Sequence, residues 1–371
     1  MEGIFRRQLF IGAPGSGFTV VAAMALPRFS GVKLANGAED DSMLSDQERT
    51  EPRLGRSTTG GQRLPTQAPF HLEATVRVLQ RRPTNHIDRW EGGRYLRVFR
   101  IDDHPIVTTV ENQGTIDSPD VRYSILGGSS ARVRRIERLL RRMLGLDVNP
   151  APLQRLVEAE PALAPIAVAL RGMRPPRFAD FFETFLNVVP FQQVSLEAGL
   201  ANVTRLVGRF GLCIDEAGRS FHTSPTARSV AEAHLEDLKA CGLSLRKADT
   251  LRYIARAIEA GDLIEEHIAR APTGDALKML RELPGIGPWS ASLVLLRGFG
   301  RLDVFPPGDV GAARGLVSLL RLSDPASLDG VIERFGDRRG YLYFCALGGA
   351  LLAKGLIHPA PSGAQRHASS A

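Results

Sequence analysis

Alternation of apolar and polar residues with a period of two marks residues 68–127. Arg94-Tyr-Leu-Arg-Val-Phe-Arg100 alternates cleanly, Asp102-Asp-His-Pro105 turns, and Ile106-Val-Thr-Thr-Val110 returns, which predicts antiparallel strands. Glu73-Ala-Thr-Val-Arg-Val-Leu79 is read as a further strand, and Trp90-Glu-Gly-Gly93 as an earlier turn. From Ser130 the spacing becomes helical: Val133, Ile136, Leu139, Leu140 and Met143 share one side over 132–144. Residues 151–358 carry helical patterns broken by Gly and Pro, with almost no strand signal. The predicted segments are a long apolar Phe178–Phe210, Ala227–Gly242, Ser244–Ala260 with a Ser N-cap, Asp275–Leu283, Pro288–Gly298, Val310–Leu320 and Asp337–Ala353. The fold class expected is α+β, mostly α. A β-rich antiparallel domain with a trailing helix (67–146) precedes an all-helical body (147–358). Residues 1–66 show no sustained period and are read as a disordered extension, and 359–371 as a tail.

Composition narrows the function. With 371 residues, 43% of them hydrophobic, the chain can form two or more domains around a large core. A net charge of +7 favours an anionic partner without naming one. Nearly all the basic residues are arginine; the lysines are Lys33, Lys239, Lys247, Lys278 and Lys354, which leaves few amines for Schiff-base chemistry. Arg134, Arg135, Arg138, Arg141 and Arg142 surround the helix at 132–144 and read first as a solvated face, with DNA contact as the alternative. Cys213, Cys241 and Cys345 are scattered and odd in number, which argues for a reducing, cytoplasmic compartment. They cannot supply the four clustered thiolates of an iron–sulfur cluster. No apolar run reaches the roughly 18–20 residues of a membrane span. Ala13-Pro-Gly-Ser-Gly17 interrupts the apolar stretch after Arg6-Arg7, against a signal peptide. Gly12-Ala-Pro-Gly-Ser-Gly17-Phe18-Thr19 imitates a phosphate-binding loop but has Phe18 in place of the lysine, so no nucleotide site is expected there.

The chemistry concentrates in 281–309. Leu283-Pro-Gly-Ile-Gly287 is a tight turn between two helical patterns, and Gly285 and Gly287 let a partner approach the backbone closely. Pro288 suits a first helical position, so the turn presents free N–H groups suited to phosphate. About twenty residues after the turn, Asp309 follows Pro-Pro-Gly. An aspartate there caps the helix beginning at Val310; held at a helix N-terminus it is favoured in its charged form, the state that offsets positive charge at a sugar C1′ or activates water. Asp303 is the rival carboxylate and is expected to be structural. Trp289 suits core packing and the wall of a pocket equally. Gln192 and Gln193 are unusual as neighbours inside an apolar sequence.

The turn and the distant aspartate together resemble the helix-hairpin-helix (HhH-GPD) DNA glycosylases, and residues 70–358 resemble the DNA-3-methyladenine glycosylase II family within them. Three further segments support this: Arg171-Gly-Met-Arg-Pro-Pro-Arg177, Leu238–Ala248 and Asp337-Arg-Arg-Gly-Tyr341. The resemblance implies that Gly285, Gly287, Pro288 and Trp289 hold a DNA phosphate. It also implies a monovalent cation on the carbonyls of Leu283 and Ile286, and no other cofactor. In Phe191-Gln-Gln-Val-Ser195, Gln192 and Gln193 match a turn that enters the minor groove, with Gln193 in the gap left by an extruded base. Lyase relatives carry a lysine at position 289; Trp289 implies a monofunctional enzyme. Trp289, Leu293, Arg338 and Tyr341 stand at base-pocket positions. Leu293 replaces a pocket tyrosine and Arg338 a stacking tryptophan, so the aromatic cleft is poorer, with Tyr343 or Phe305 as substitutes.

The implied activity is base-excision repair: Asp309 hydrolyses the N-glycosidic bond of a flipped alkylated purine in double-stranded DNA. A cytoplasmic, nucleoid-associated monomer with no membrane contact is expected. The alternatives are a non-catalytic DNA-binding protein on this fold, and a glycosylase for an oxidised or mismatched base.

Overall fold

A computed structural model describes residues 58–126, 129–149, 160–216 and 219–361. Expectations for residues 1–57, the loop imitation at 12–19 among them, and for 362–371 lie outside the described residues. Five antiparallel strands form one sheet in the order β1-β5-β4-β3-β2: β1 Thr58–Arg63, β2 Arg89–Glu91, β3 Arg94–Ile101, β4 His104–Asn112 and β5 Val121–Leu126. Across β3 and β4, Tyr95 faces Val110 and Phe99 faces Ile106; Val110 in turn faces Tyr123 of β5. The period-two reading of 94–110 is therefore the pleat itself, with Tyr95, Phe99, Ile106 and Val110 on one buried face. β1 lies inside the segment expected to be disordered; it gains order by pairing with β5.

The buried face packs Tyr95, Phe99, Ile106, Val110 and Tyr123 against Ile136, Leu140 and Met143 of the helix Ser130–Met143. Much of that helix's arginine surface is paired within the chain. Arg135 reaches Asp102, Arg141 reaches Asp147, and Arg142 reaches Glu265 at 2.7 Å.

Residues Leu72–Gln80 form a helix, not the strand expected at Glu73–Leu79. The physical reason lies in its two partners. Leu72, Val76 and Leu79 pack into the sheet's core, while Ala74 and Val78 pack into the helical core. Burial on both sides puts apolar residues at 74, 76 and 78, which imitates a strand's alternation. His71 caps this helix by accepting from the Ala74 N–H.

The body is not all-helical. Cys213–Glu216 (β6) and Arg219–His222 (β7) form an antiparallel hairpin. Phe221 on this hairpin covers Val98 and Val107 on the other face of the five-stranded sheet. Each strand is too short to register as a period, and its apolar partner lies far away in sequence. Phe178–Phe210 also divides, into Phe181–Leu186, a 3-10 turn Val189–Phe191 and Leu196–Phe210. Ala227–Gly242 divides into Ala227–Ala231 and Leu235–Ala240, with His234 extended between them. Leu245–Ala260 follows with Ser244 as its cap. The hairpin helices are Thr273–Arg281 and Pro288–Val294; the second runs on as a π-turn, Leu295–Phe299, closed by Gly300 at φ 73°. Val310–Leu320 forms as expected, and Arg339–Ala353 is entered through a 3-10 turn at Gly336–Arg338.

A buried charge network fastens the sheet to this body. Arg97 on β3 donates to Asp88 at 2.7 Å and also to Glu183 in Phe181–Leu186, and the Tyr95 hydroxyl donates to Asp88 at 2.7 Å. Burial works against the Arg97 charge, but Glu183 and Asp88 outweigh it and hold its pKa above the usual arginine value. Among the described residues, no helix is long and apolar enough to cross a membrane.

Candidate active site

Three loops are tied together at one end of the body. The first is the turn after the 3-10 segment Val189–Phe191. Its Gln192 is half-buried and its amide Nε2 donates to the Gly285 carbonyl at 2.9 Å and to Ser290 Oγ at 2.9 Å. Gln193 is exposed at φ 54°, a left-handed conformation that non-glycine residues adopt at a cost. The two glutamines thus divide their work: Gln192 binds the loop inward and Gln193 projects from its tip.

The second loop is the hairpin turn. Gly285 sits at φ 79°, and a Cβ there would lie 2.1 Å from Thr250 Oγ1, so only glycine fits. At Gly287 a Cβ would meet nothing, which leaves that side open to a partner. Pro288 begins the next helix, and the first-turn amides of Trp289 and Ser290 have no intrahelical acceptor.

The third loop carries Asp309. Its Oδ1 accepts from the Ala312 N–H at 2.9 Å, capping Val310–Leu320, and its Oδ2 accepts from the Trp289 indole Nε1–H at 3.0 Å. Both oxygens keep lone pairs for a further partner. The Trp289 ring also rests against the cluster of Ile87, Phe191 and Val203, so one side chain links the region before Gln192, the hairpin and Asp309. Asp303 accepts from Thr273 Oγ1 at 2.5 Å, a bond that ties the segment before Asp309 to the hairpin's first helix.

Two family models match this chain: the AlkA N-terminal domain over residues 62–180, and the HhH-GPD superfamily base excision DNA repair protein over 187–335. Residues 187–335 thus carry an HhH-GPD domain, preceded by an AlkA N-terminal domain. Two similar sequences are a probable bifunctional transcriptional activator/DNA repair enzyme AlkA of Mycobacterium tuberculosis and DNA-3-methyladenine glycosylase 2 of Escherichia coli. The first is 29% identical over 71% of this chain and 51% of its own length. The second is 29% identical over 73% of this chain and 90% of its own length. The chain thus spans about half the length of the mycobacterial relative. In structure it is similar to the 3-methyladenine DNA-glycosylase of Archaeoglobus fulgidus, with a TM-score of 0.64 and 24% identity over 79% of this chain and 99% of the other; this likeness shows the fold.

Within this HhH-GPD fold, Gln192, Gly285, Trp289 and Asp309 are brought together by direct bonds. Leu293 lies in the helical core, at 1% exposure. Tyr341 is also in that core, and Arg338 is part-exposed beside Asp337. Tyr343, two residues beyond Tyr341, packs edge-on to Phe305. Burial raises the pKa of the Tyr343 hydroxyl; the charge of Arg81 opposes the rise and that of Asp309 adds to it. Arg81 and Arg297 stand in the same neighbourhood and were not visible as site residues in the sequence. Arg297 belongs to an apolar helix and Arg81 to a pair of surface-like arginines; neither position carries a motif.

Proposed function

We propose that this chain is a monofunctional DNA glycosylase. It flips an alkylated purine of the 3-methyladenine type out of double-stranded DNA and hydrolyses its N-glycosidic bond, in base-excision repair. The observation that carries this is the Asp309 carboxylate, fixed by Ala312 and by Trp289 at the position where a lyase would need an amine. As C1′ and the base nitrogen separate, positive charge builds at the sugar, and a carboxylate held in place offsets it without reorganising. Water adds to C1′, and its proton goes to the departing base or to solvent. No lysine lies between Lys278 and Lys354, which supports hydrolysis without a Schiff base.

The hairpin amides hold a backbone phosphate and Gln193 fills the vacated stack. The carbonyls of Leu283 and Ile286 suit a monovalent cation. Leu283 already accepts from the Ile286 N–H at 3.1 Å and has a second lone pair to offer. Bound there, the cation would add positive charge beside the phosphate. The protein acts as a cytoplasmic, nucleoid-associated monomer. The test is base release from duplexes bearing damaged purines, with alkali revealing abasic sites, for wild type and Asp309→Asn side by side. Full activity in the Asn variant would sink the mechanism.

A further inference from the structure

A shallow groove of about 400 Å3 opens directly onto Asp309. Val310, Ala313, Arg314 and Val317 line it from one face of the helix Val310–Leu320, and Leu328 lines it from the segment that follows. The opposite side of the same helix, Ala312, Leu316 and Leu320, is buried in the helical core. There Gly315 sits so close to Arg339–Ala353 that an added Cβ would lie 3.2 Å from the Ala346 side chain. The helix is thus fixed by its back, and its front is open. Val310 is 67% exposed, a large apolar side chain left bare beside a carboxylate.

Arg314 is the cation of this groove. It is exposed, and among the described residues none forms a hydrogen bond or ion pair with it. Other arginines of the body are engaged: Arg301 with the Ala269 and Ala271 carbonyls, Arg334 with Glu160, and Arg339 with the Gly336 carbonyl. At about 1.5 Å of rise per residue, Arg314 stands about 7.5 Å beyond Asp309 along the helix axis. One strand can therefore bring a sugar to the carboxylate and a phosphate to the guanidinium. The charges call for this arrangement. A carboxylate set against DNA repels the backbone, and a free guanidinium little more than a turn away draws it back.

We propose that this groove seats the nucleotide adjoining the flipped one, with its phosphate on Arg314 and its sugar against Val310, Ala313 and Val317. The inference rests on the glycosylase reading above and adds a positioning residue to it. A nucleotide matches both features of the groove: its sugar presents C–H surface to the apolar wall, and its phosphate suits the guanidinium fork. The volume falls within the roughly 300–1,000 Å3 of small-ligand sites. With the hairpin amides on one phosphate and Arg314 on another, the strand is held at two points and C1′ is kept on Asp309. Such a contact sets register and reads no sequence.

The experiment alters protein and DNA together. Binding is measured to a duplex carrying a tetrahydrofuran abasic-site analogue, with each of the two phosphates on either side replaced in turn by an uncharged methylphosphonate. The proteins are wild type, Arg314→Gln, Arg314→Lys and Val317→Glu. Arg314→Gln should bind the unmodified duplex about tenfold more weakly, the loss of one charge-assisted contact. Its plot of log affinity against log salt should be shallower by about 0.9, and Arg314→Lys should restore that slope. At one flanking position the methylphosphonate should weaken wild type about tenfold and leave Arg314→Gln within about twofold, because the contact is already gone. Val317→Glu, which sets an anion on the groove wall, should weaken binding about fivefold. Independent losses at all four phosphates, or an unchanged salt slope in Arg314→Gln, would overturn the proposal. A dimer in sedimentation that Val317→Glu dissociates would overturn it too, since the groove would then hold a second copy of this chain. Base release from methylated duplex by the same wild-type protein separates the two failures. Release together with independent losses leaves the glycosylase reading standing. No release, with no preference for the abasic duplex over an undamaged one, removes both readings.

Discussion

Replacing Trp289 by Phe tests whether the indole aims the acid. The indole Nε1–H donates one bond to Asp309 Oδ2 at 3.0 Å, while the ring fills space beside Ile87 and Val203. Phe keeps an aromatic ring in that space and deletes the donor. A hydrogen bond to a charged group contributes about 1.5–3 kcal/mol when buried. Trp289 is only half-buried, so the lower end applies, about 1.5 kcal/mol, which is about tenfold in rate. The Asp309 oxygen would then be held only by the cap to Ala312, and part of its orienting effect would be lost. The assay is single-turnover base release, alongside the dissociation constant for abasic-site duplex. About tenfold slower release with affinity changed less than threefold is expected. If release were unchanged while Asp309→Asn was inactive, the bond would have no catalytic role. If affinity fell in proportion to rate, Trp289 would act through packing alone.

Three further outcomes are expected. Asp309→Asn should lose at least a hundredfold in release yet melt within a degree or two of wild type, because asparagine caps a helix as well as aspartate does; a large drop in melting temperature would mean that lost structure explains the lost activity. Arg97→Met should cost about 3–5 kcal/mol in urea unfolding, since it strands two buried carboxylates, Asp88 and Glu183; a loss below about 1 kcal/mol would show that water enters there. His71 gives a pH dependence. Burial lowers its pKa below 6.5, its Nδ1 accepts from Ala74, and its Nε2 donates to the His358 carbonyl. A depressed folded pKa means that this stability is present above pH 6.5 and fades as pH falls through the folded value, by about 1 kcal/mol for a lost cap. His71→Asn, which caps without titrating, should flatten that slope in denaturation curves at pH 5 and pH 7.5.

The sequence made the parts of this molecule with local physics legible. Strands β3 and β4 repeat every two residues along the pleat, and Val310–Leu320 starts at its own capping aspartate, so both were readable. Leu72–Gln80 was misread because two different cores claim opposite sides of one helix. The hairpin at Cys213–His222 was missed because Phe221 answers to Val98 and Val107, more than a hundred residues away. In the site, Asp309 and the Gly/Pro turn announced themselves through backbone demands that few residue types meet. The indole-to-carboxylate bond and the inward role of Gln192 depend on where long side chains end, which spacing along a chain does not encode.

The bonds from Gln192 to Gly285 and Ser290 have a consequence for search. They make the Gln192-Gln193 turn and the hairpin parts of one stiff unit. In the proposed complex, with the hairpin seated on a phosphate, the reach of Gln193 into the stack would be set in advance, as on a fixed-depth gauge. The protein then has no need to adjust its probe at every base pair it passes. On the proposed glycosylase reading, a lesion would register by whether the stack yields at that preset depth, so a weakly paired or distorted base would reveal itself by giving way.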